Sequence, residues 1–455
     1  MAINTHVRAR TTAEIAGQPK FAPQVAFEPT DLQKIAASML ILMMRNVATD
    51  SYVFTDPTDT SRDSLAGCIL AAPAYPSNLQ SLADVDANYV YNWTRDASIA
   101  AIEIAAANLP ANPGGGVQPL IDYVTFAQTC QSNATAKGLF ARASFTIDGQ
   151  PRDHWTDQND GAALQTLAIL KAYGQLDPPT QAVAKQVIAK NVNFLLGAYQ
   201  NQTINLWEEQ FAFSFFARSV QLRCLQEVQS NTIGVAVPQG VTGAITSLQS
   251  ALAGHWNGAY YQSLLPAVPF YDPNIDIVSS CLYGAIPCTD TKLLATAAQL
   301  RSQWADDGSV EQYPINAADR PLGIGPLLGR YPSDRYDGDS HDNILGRHPW
   351  ALCTCNFAEL NYTLASLIAK GQPVPLDALS APFFTQMGVD SSTPVDAVVK
   401  SLQDAGDAML RAVIYHSDHL ELSEQFDGVT GLEKSVKNLT WSYAAFLSAV
   451  RARNP

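Results

Sequence analysis

Two acidic motifs of the chain could carry chemistry because each lies next to aromatic residues. They read Leu206-Trp207-Glu208-Glu209 and Ser423-Glu424-Gln425-Phe426-Asp427. Only 15% of the residues are charged, whereas about a quarter is usual in soluble domains. Carboxyl groups set among aromatic side chains can have their pKa values moved apart by their surroundings. Two such carboxyl groups are what general acid and base cleavage of a sugar acetal requires.

Two further motifs combine flat rings with hydrogen-bonding side chains. Residues 89–96 read Tyr-Val-Tyr-Asn-Trp-Thr-Arg-Asp, and residues 329–334 read Gly-Arg-Tyr-Pro-Ser-Asp. The rings can cover the apolar face of a sugar, while arginine donates to its hydroxyls and aspartate accepts from them. Taken singly, each of the four motifs also has an ordinary structural explanation. Helix caps, acidic residues that complement a helix dipole, and a turn with a local ion pair all use these residue types.

The charge balance argues against anionic partners. The net charge is −14 and the pI is near 4.8, whereas nucleic-acid binding needs clustered Lys and Arg and anionic membrane surfaces attract basic segments. The sequence has no apolar run of about 18 residues, the length that predicts a membrane-spanning helix. We therefore expect a neutral partner such as a carbohydrate, and neither nucleic acid nor a membrane.

The cysteines and histidines follow no metal-binding or disulfide-framework pattern. The seven cysteines are odd in number and widely spaced, unlike those of disulfide-rich domains. Cys281 and Cys288 flank a turn and could form a local bridge, while the pair at 353–355 is interpreted as buried free thiols. His416 and His419 have the spacing of helical metal ligands, but their acidic neighbours favour a solvated loop. We expect no metal and no cofactor.

The hydrophobic pattern predicts helices along most of the chain. Apolar residues recur at i, i+3 and i+4, and long polar loops rich in Gly and Pro separate these segments, as functional loops often do. We find no break in composition that would divide residues 30–455, so we predict one large domain after an N-terminal extension at 1–29. The predicted helices are 32–47, 97–107, 120–131, 161–173, 181–199, 211–227, 241–249, 291–304, 357–370, 395–415 and 441–451. The predicted loops are 55–78, 110–116, 147–159, 269–289, 313–349 and 371–393.

The four motifs, taken together and in this order, resemble those of the glucoamylases of glycoside hydrolase family 15. The similarity extends to Leu439-Thr440-Trp441-Ser442-Tyr443-Ala444, to Ser214-Phe215-Phe216 and to Pro349-Trp350, and it covers roughly residues 30–452. The resemblance implies an all-α fold, an (α/α)6 barrel of six inner and six outer helices. It also implies inverting, exo-acting removal of α-1,4-linked glucose from the non-reducing ends of starch-type glucans, with release of β-glucose.

The same resemblance implies roles for individual residues. Glu208 is the implied general acid and Glu424 the general base, with Tyr89 and Ser435 orienting the base. Glu209 is implied to bind the next sugar. The implied substrate-binding residues are Tyr89, Trp93, Arg95, Asp96, Trp155, Gln158, Leu206, Trp207, Glu209, Arg330, Asp334 and Trp441.

Three departures from the family pattern bear on substrate preference. The segment 155–161 is one residue shorter than usual and lacks a proline, and the loop 335–348 is longer. The chain also shows no linker or starch-binding domain after the last predicted helix. We therefore expect soluble maltooligosaccharides to be better substrates than granules, and the shortened segment and the extended loop to alter contacts with the second and later sugars.

Several alternatives stay open at the sequence level. A relative that prefers α-1,6 links, as a glucodextranase does, or one that cleaves trehalose would present the same residues to the terminal glucose. A non-catalytic glucan-binding barrel and a helical-repeat interaction protein are alternatives from other classes. The first is opposed by the presence of both glutamates and the second by the long aromatic-rich loops. We expect a monomer that is secreted or periplasmic, although no leader is visible in this sequence.

Overall fold

Helices dominate the described part of the chain. The computed structural model describes residues 29–73, 89–305, 313–338 and 347–454. The predicted N-terminal extension therefore lies outside the described residues, apart from its last position. The helices are α1 Pro29–Met44, α2 Thr94–Ala106, α3 Gln118–Lys137, α4 Gly161–Ala172, α5 Pro178–Ala198, α6 Phe215–Ser230, α7 Val241–Ala253, α8 Asp276–Leu282, α9 Thr291–Ala305, α10 Pro314–Asp319, α11 Ala351–Ala369, α12 Ala381–Thr385, α13 Val395–His416 and α14 Thr440–Arg453.

Six of these helices form a closed inner ring. Each contacts the next in the order α2, α4, α6, α8, α11 and α14, and α14 returns to α2. The outer helices α1, α3, α5, α7, α9 and α13 each pack against an inner helix. This arrangement confirms the predicted (α/α)6 barrel.

Burial separates the inner helices from the outer ones. Inner helix α4 buries most of its residues, including its polar Gln165 and Thr166. Outer helix α13 instead buries an apolar stripe, with Val398, Leu402 and Met409 on one face. A helix that is apolar on all sides fits inside a ring, whereas an amphipathic helix must face water on one side.

The predicted site motifs gather where the inner helices begin. Arg95 and Asp96 lie in the first turn of α2, residue 158 lies just before α4, and Trp350 lies directly before α11. Trp441 lies in the first turn of α14. A helix N-terminus has a positive partial charge, which favours nearby carboxylates. The ring thus brings sequence-distant residues to one end of the barrel.

Short antiparallel strands lie in the loops between the helices. They form the pairs β1–β2, β3–β4 and β8–β9 and a three-stranded group β5–β6–β7. The strands are β1 Thr55–Asp56, β2 Asp59–Asp63, β3 Asn92–Trp93, β4 Ser144–Phe145, β5 Thr203–Ile204, β6 Phe211–Ser214, β7 Leu264–Leu265, β8 Gln425–Phe426 and β9 Glu433–Lys434.

Several predicted element boundaries are wrong. The predicted helix 211–227 begins as strand β6, because Phe213 and Ser214 pair with β7 and the Ser214 hydroxyl caps α6 by accepting from the Ala217 N–H. The predicted loop 269–289 contains inner helix α8, which is too short to show a helical period. The loops 313–349 and 371–393 likewise contain the short helices α10 and α12.

The disulfide that the sequence leaves possible is absent, and one prediction about histidine is wrong. Cys281 and Cys288 form no bridge, and the Cys288 Sγ lies 3.8 Å from the Cys281 carbonyl oxygen. His416 is not on a solvated loop: it ends α13, is buried, and pairs with the buried Asp319 at 2.8 Å. His419 is exposed, as predicted. Cys353 and Cys355 are buried free thiols in α11, which confirms their interpretation.

Candidate active site

A cavity of about 540 Å³ lies at the end of the barrel where the inner helices begin. Most of the residues that the sequence predicts for the site line it. They are Tyr89, Trp93, Arg95, Asp96, Trp155, Leu206, Trp207, Glu208, Glu209, Arg330, Glu424 and Trp441. His154, Thr156, Tyr336, Asp337, Gly338 and Trp350 also contribute to the wall. The sequence-distant motifs thus meet around one space.

Two predicted site residues lie behind the cavity wall instead of lining it. Gln158 accepts a hydrogen bond from Arg95 through its Oε1 at 2.8 Å and donates to the Asn205 carbonyl at 2.5 Å. Asp334 accepts two hydrogen bonds from the Arg330 guanidinium, both 2.7 Å long. Such bidentate pairs fix the orientation of the arginine. Gln158 and Asp334 therefore orient the two cavity arginines.

Glu208 lies on a tight turn with a left-handed backbone, at φ +64°. Its carboxylate accepts a hydrogen bond from the Trp155 indole at 3.0 Å and lies 3.3 Å from the Arg95 guanidinium. Burial raises the pKa of Glu208, and Arg95 and Trp155 partly oppose this. A bulky residue at positive φ is uncommon, and such strain tends to occur at functional sites.

Asn205, to which the sequence motifs assign no role, shapes this turn. Its buried side-chain oxygen accepts from the backbone N–H groups of Glu209 and Gln210, both at 3.0 Å. Its amide nitrogen donates to the Tyr271 hydroxyl at 2.6 Å. An asparagine can satisfy backbone groups in a turn in this way. Asn205 therefore sets the positions of the two adjacent glutamates.

Glu209 has surroundings quite different from those of Glu208. Its Oε2 accepts hydrogen bonds from the hydroxyls of Tyr271 and Tyr331, both at 2.8 Å, and its Oε1 lies 2.8 Å from the Arg330 guanidinium. The rings of Tyr271 and Tyr331 lie 4.2 Å apart. Both carboxylate oxygens thus have donors, and these contacts fix the orientation of Glu209 in the cavity wall.

Glu424 lies at the entry to strand β8 and is buried. Its Oε2 accepts a hydrogen bond from the Ser435 hydroxyl at 2.5 Å, and the Tyr89 hydroxyl lies 3.2 Å from Oε1. Burial raises the pKa of Glu424 to about 7, while Ser435, Arg330 and Tyr89 act in the opposite direction. The hydrogen-bond donors around Glu424 favour its ionised form, and burial has the larger effect on its pKa.

Aromatic rings enclose both cavity arginines. The Arg330 guanidinium carbon lies 4.7 Å from the Trp350 ring centre and 5.3 Å from that of Trp207. The Arg95 guanidinium lies 5.2 Å from the Trp441 ring. A buried guanidinium among rings and carboxylates has little freedom, so its donors keep a fixed direction.

The carboxyl groups around Arg95 repel one another and compete for this cation. Arg95 lies 3.4 Å from Asp96 and 3.5 Å from Asp160, in addition to its contact with Glu208. Burial raises the pKa of Asp96 to about 6, Arg95 lowers it, and Glu208 raises it further. One cation facing several buried carboxyl groups makes their proton occupancy interdependent.

Sequence reasoning assigns no role to some contributors to the site. Tyr271 falls in a predicted loop, while Tyr331 and Trp350 appear only as members of motifs. Their contacts with Glu209 and Arg330 join residues that are far apart in the chain, 122 positions in the case of Tyr331 and Glu209. A pattern among neighbouring residues in the sequence cannot reveal contacts between residues so far apart in the chain.

The arrangement can bind a polar molecule that has one flat apolar face. Trp93 and Trp155 meet edge to face at 5.9 Å, and Trp207 stacks on Trp441 at 6.3 Å. Between these walls are two carboxyl groups with separate sets of donors, which suits acid and base chemistry. Among the described residues, no group of three or more His, Cys, Asp or Glu side chains could hold a metal ion.

Within the described residues, no helix is sufficiently long and apolar to cross a membrane.

Comparison with known proteins shows the family of the chain. The model of the family "Glycosyl hydrolases family 15" matches residues 42–451. A glucoamylase of Blastobotrys adeninivorans is 25% identical and aligns with 97% of this chain and 76% of its own. A probable glucoamylase of Schizosaccharomyces pombe is also 25% identical, with 86% of both chains covered. The solved glucoamylase of Saccharomycopsis fibuligera shares the fold, with a TM-score of 0.75, 19% identity, and 99% and 97% of the two chains covered. The chain is therefore a member of glycosyl hydrolase family 15.

Proposed function

We propose that this protein removes terminal α-1,4-linked glucose from the non-reducing ends of starch-type glucans and releases β-glucose. The observation that carries the proposal is a pair of carboxyl groups in one aromatic-lined cavity, the partly buried Glu208 and the buried Glu424. Each has its own donors, Arg95 and Trp155 for Glu208 and Ser435 and Tyr89 for Glu424. The names of the relatives, which are a glucoamylase and a probable glucoamylase, support the choice of a glucan as the substrate.

Glu208 is the proposed general acid. A general acid must hold its proton until the leaving-group oxygen takes it, and burial raises the pKa of Glu208 in that direction. Its side chain stays 18% exposed, so it can still reach a molecule in the cavity. The turn held by Asn205 directs this carboxyl group and Glu209 to different partners.

Glu424 is the proposed general base that activates a water molecule. The Ser435 hydroxyl donates to one carboxylate oxygen, and such a donor favours the ionised form that a base needs. A water held by Glu424 would attack the anomeric carbon in one displacement, on the face opposite to the departing oxygen. That course inverts the anomeric configuration.

The terminal glucose is proposed to lie among the cavity tryptophans, with its hydroxyls bound by charged groups. Arg95, Asp96 and Arg330 and the Leu206 carbonyl are the proposed partners, and Gln158 and Asp334 keep the arginines in place. Glu209 is proposed to bind the next sugar, since it lines the same cavity and is held in a fixed orientation by Tyr271, Tyr331 and Arg330. Residues 30–455 are proposed to act as one catalytic domain.

A substrate panel tests the proposal directly. Glucose release from maltose should exceed release from isomaltose, dextran and trehalose. Glu208→Gln and Glu424→Gln should each lower it by about 10²- to 10⁴-fold. A preference for isomaltose or dextran would instead favour an α-1,6-cleaving enzyme. Binding of maltooligosaccharides by the unmodified protein with no release of glucose would favour a non-catalytic glucan-binding barrel.

A further inference from the structure

We propose that Asp337 is a positioning residue that, together with Lys434 and His348, holds the segment 336–338 against the general base. The inference rests on the proposed function, in which Glu424 activates water, and extends it to residues with no assigned role. The three side chains are called the latch below. They come from the start of the extended loop, from its end, and from strand β9.

The first observation is a buried ion pair beside the cavity. Asp337 is 4% exposed, and its Oδ1 lies 3.0 Å from the Lys434 ammonium, whose side chain is 18% exposed. The other oxygen of Asp337 lies 3.4 Å from the His348 Nε2. The His348 Nδ1 accepts from the Gly428 N–H, so the neutral ring carries its proton on Nε2 and donates it to Asp337.

The second observation is that Gln425, the neighbour of the general base, binds the same segment through its side chain. Its amide oxygen accepts from the Gly338 N–H at 3.2 Å, and its amide nitrogen donates to the Tyr336 carbonyl at 3.1 Å. Gln425 and Lys434 are paired across the β8–β9 hairpin, and opposite residues of such a pair project from the same face. The hairpin therefore holds the segment at two adjacent points.

The third observation is how closely the segment approaches the base. A Cβ atom at Gly338 would collide with the Ser435 hydroxyl and would lie 3.2 Å from the Glu424 Oε2. The Tyr336 hydroxyl lies 2.8 Å from that of Tyr89, which donates to Glu424. The segment thus limits where the Ser435 and Tyr89 hydroxyls can go, and both donate to the general base.

The latch also joins the two ends of the extended loop. The centre of the loop, 339–346, lies outside the described residues. Deletion of 338–345 would test whether the loop affects chain-length preference, and most of that stretch also lies outside the described residues. The contact of Asp337 with His348 connects the residues on either side. On the far side, Phe426 donates its backbone N–H to the Pro349 carbonyl at 2.8 Å, and Trp350 forms a bridge with Gln425. Both ends of the loop are therefore attached to strand β8, which directly follows the base.

The consequence is that the charge of Asp337, a residue of the cavity wall, controls the geometry of the base. Neutralising Asp337 leaves Lys434 in a mostly buried place with a weaker partner, and the segment 336–338 is then free to move from Ser435. The hydrogen bond from Ser435 to Glu424 becomes less well fixed. Small displacements of a catalytic group can lower turnover by about 10²-fold.

The test compares Asp337→Asn with a matched control. Asp407→Asn neutralises another buried aspartate, which pairs with Arg453 at 2.9 Å and with Tyr362 at 2.8 Å on the outer helix α13. We expect Asp337→Asn to lower kcat on maltose by about 10- to 100-fold, with KM changed less than about 3-fold, and to move the acid limb of the kcat/KM profile. Asp407→Asn should leave kcat and the acid limb unchanged, even if it lowers Tm as much as Asp337→Asn does.

A double-mutant cycle shows whether the latch acts through the base. If it does, Asp337→Asn should lower kcat far less in a Ser435→Ala background than in the unmodified protein, because coupled residues give non-additive effects. Full additivity, or an Asp337→Asn variant with the kcat and pH profile of the control, overturns the proposal. If Asp337→Asn does not fold, Lys434→Met tests the same ion pair from the other side.

Hydrogen exchange provides a readout that needs no turnover. Local opening of the hairpin raises amide exchange there, so Asp337→Asn should speed exchange in residues 424–436 while Asp407→Asn leaves them unchanged. Equal exchange in the two variants counts against the latch. Absence of glucose release by the unmodified protein from any substrate would refute the proposed function instead, and the exchange comparison would then decide the latch by itself.

Discussion

At the scale of single residues, two adjacent glutamates receive different roles from their partners. We predict that Glu208→Gln lowers kcat by about 10²- to 10⁴-fold, the usual effect of losing a general acid. Glu209→Gln should raise KM more than it lowers kcat, because Glu209 is held by two tyrosines and Arg330. Steady-state kinetics on maltose separate the two effects. Loss of turnover only in the Glu209 variant would show that the roles are exchanged.

A second residue-scale prediction concerns pH. The Ser435 hydroxyl lowers the pKa of Glu424, whose burial raises it. Ser435→Ala removes this donor, so the pKa of Glu424 rises and a smaller fraction of the base is ionised at any given acid pH. The acid limb of the kcat/KM profile should therefore shift to higher pH.

A matched control for this prediction is Ser442→Ala. Ser442 is also buried, but it donates to the Ser423 carbonyl and not to Glu424. Its removal should leave the acid limb in place. A limb that moves to lower pH in Ser435→Ala, or that moves equally in both variants, contradicts the assignment of the base.

At the scale of elements, the turn at 205–210 depends on one side chain. Asn205→Ala leaves two backbone N–H groups without their acceptor and the Tyr271 hydroxyl without a donor. We expect a loss of about 1–3 kcal/mol of stability, as for buried groups left unsatisfied, and a fall in kcat/KM of about 10- to 100-fold. Urea unfolding and maltose kinetics measure the two effects.

Asn205→Asp is the control for that turn, since it keeps the acceptor for both N–H groups while it replaces the donor to Tyr271 by a carboxyl oxygen, to which the Tyr271 hydroxyl can donate instead. It should retain more activity than Asn205→Ala. If the two variants are equally impaired, the acceptor role of Asn205 in placing Glu208 and Glu209 is refuted.

The elements also show what sequence reasoning can reach. Long helices such as α5 and α13 repeat their apolar residues often enough for the 3.6-residue period to be visible. Helix α8 has seven residues, fewer than two turns of clear pattern, and the sequence therefore predicts a loop there. The sequence does not reveal strand β6, because this strand pairs with β7, whose residues lie about 50 positions later in the chain.

The site is easier to predict than the elements because its chemistry is concentrated in short motifs. Glu208, Glu424 and Arg330 can be selected by residue type and by family resemblance. Asn205, Tyr271 and Asp337 cannot, because their importance lies in hydrogen bonds to backbone groups and distant side chains. Such contacts leave no period or motif in the sequence.

At the scale of the whole molecule, an ion pair links the last inner helix to an earlier one. Arg451 of α14 binds Glu103 of α2, with distances of 2.6 and 3.3 Å, where α14 meets α2. Glu103 is 4% exposed. We predict that Arg451→Met lowers the free energy of unfolding by about 2–3 kcal/mol, below the full value for a buried pair because 46% of the Arg451 side chain is exposed.

The control for ring closure is Arg45→Met, which removes an exposed pair with Glu421 at 3.1 Å. Surface pairs contribute about 0–1 kcal/mol, so this variant should unfold almost as the original protein does. Equal stabilities of Arg451→Met and Arg45→Met in urea unfolding would show that the Arg451–Glu103 pair does not stabilise the ring.

The account as a whole depends on one acid and one base that act in a single displacement. Proton NMR of maltose hydrolysis, recorded before the sugar anomers interconvert, reports the configuration of the first glucose released. The proposed roles of Glu208 and Glu424 predict β-glucose as this first product. Initial release of α-glucose would contradict the central claim, because it would require Glu424 or another carboxylate to act as a nucleophile.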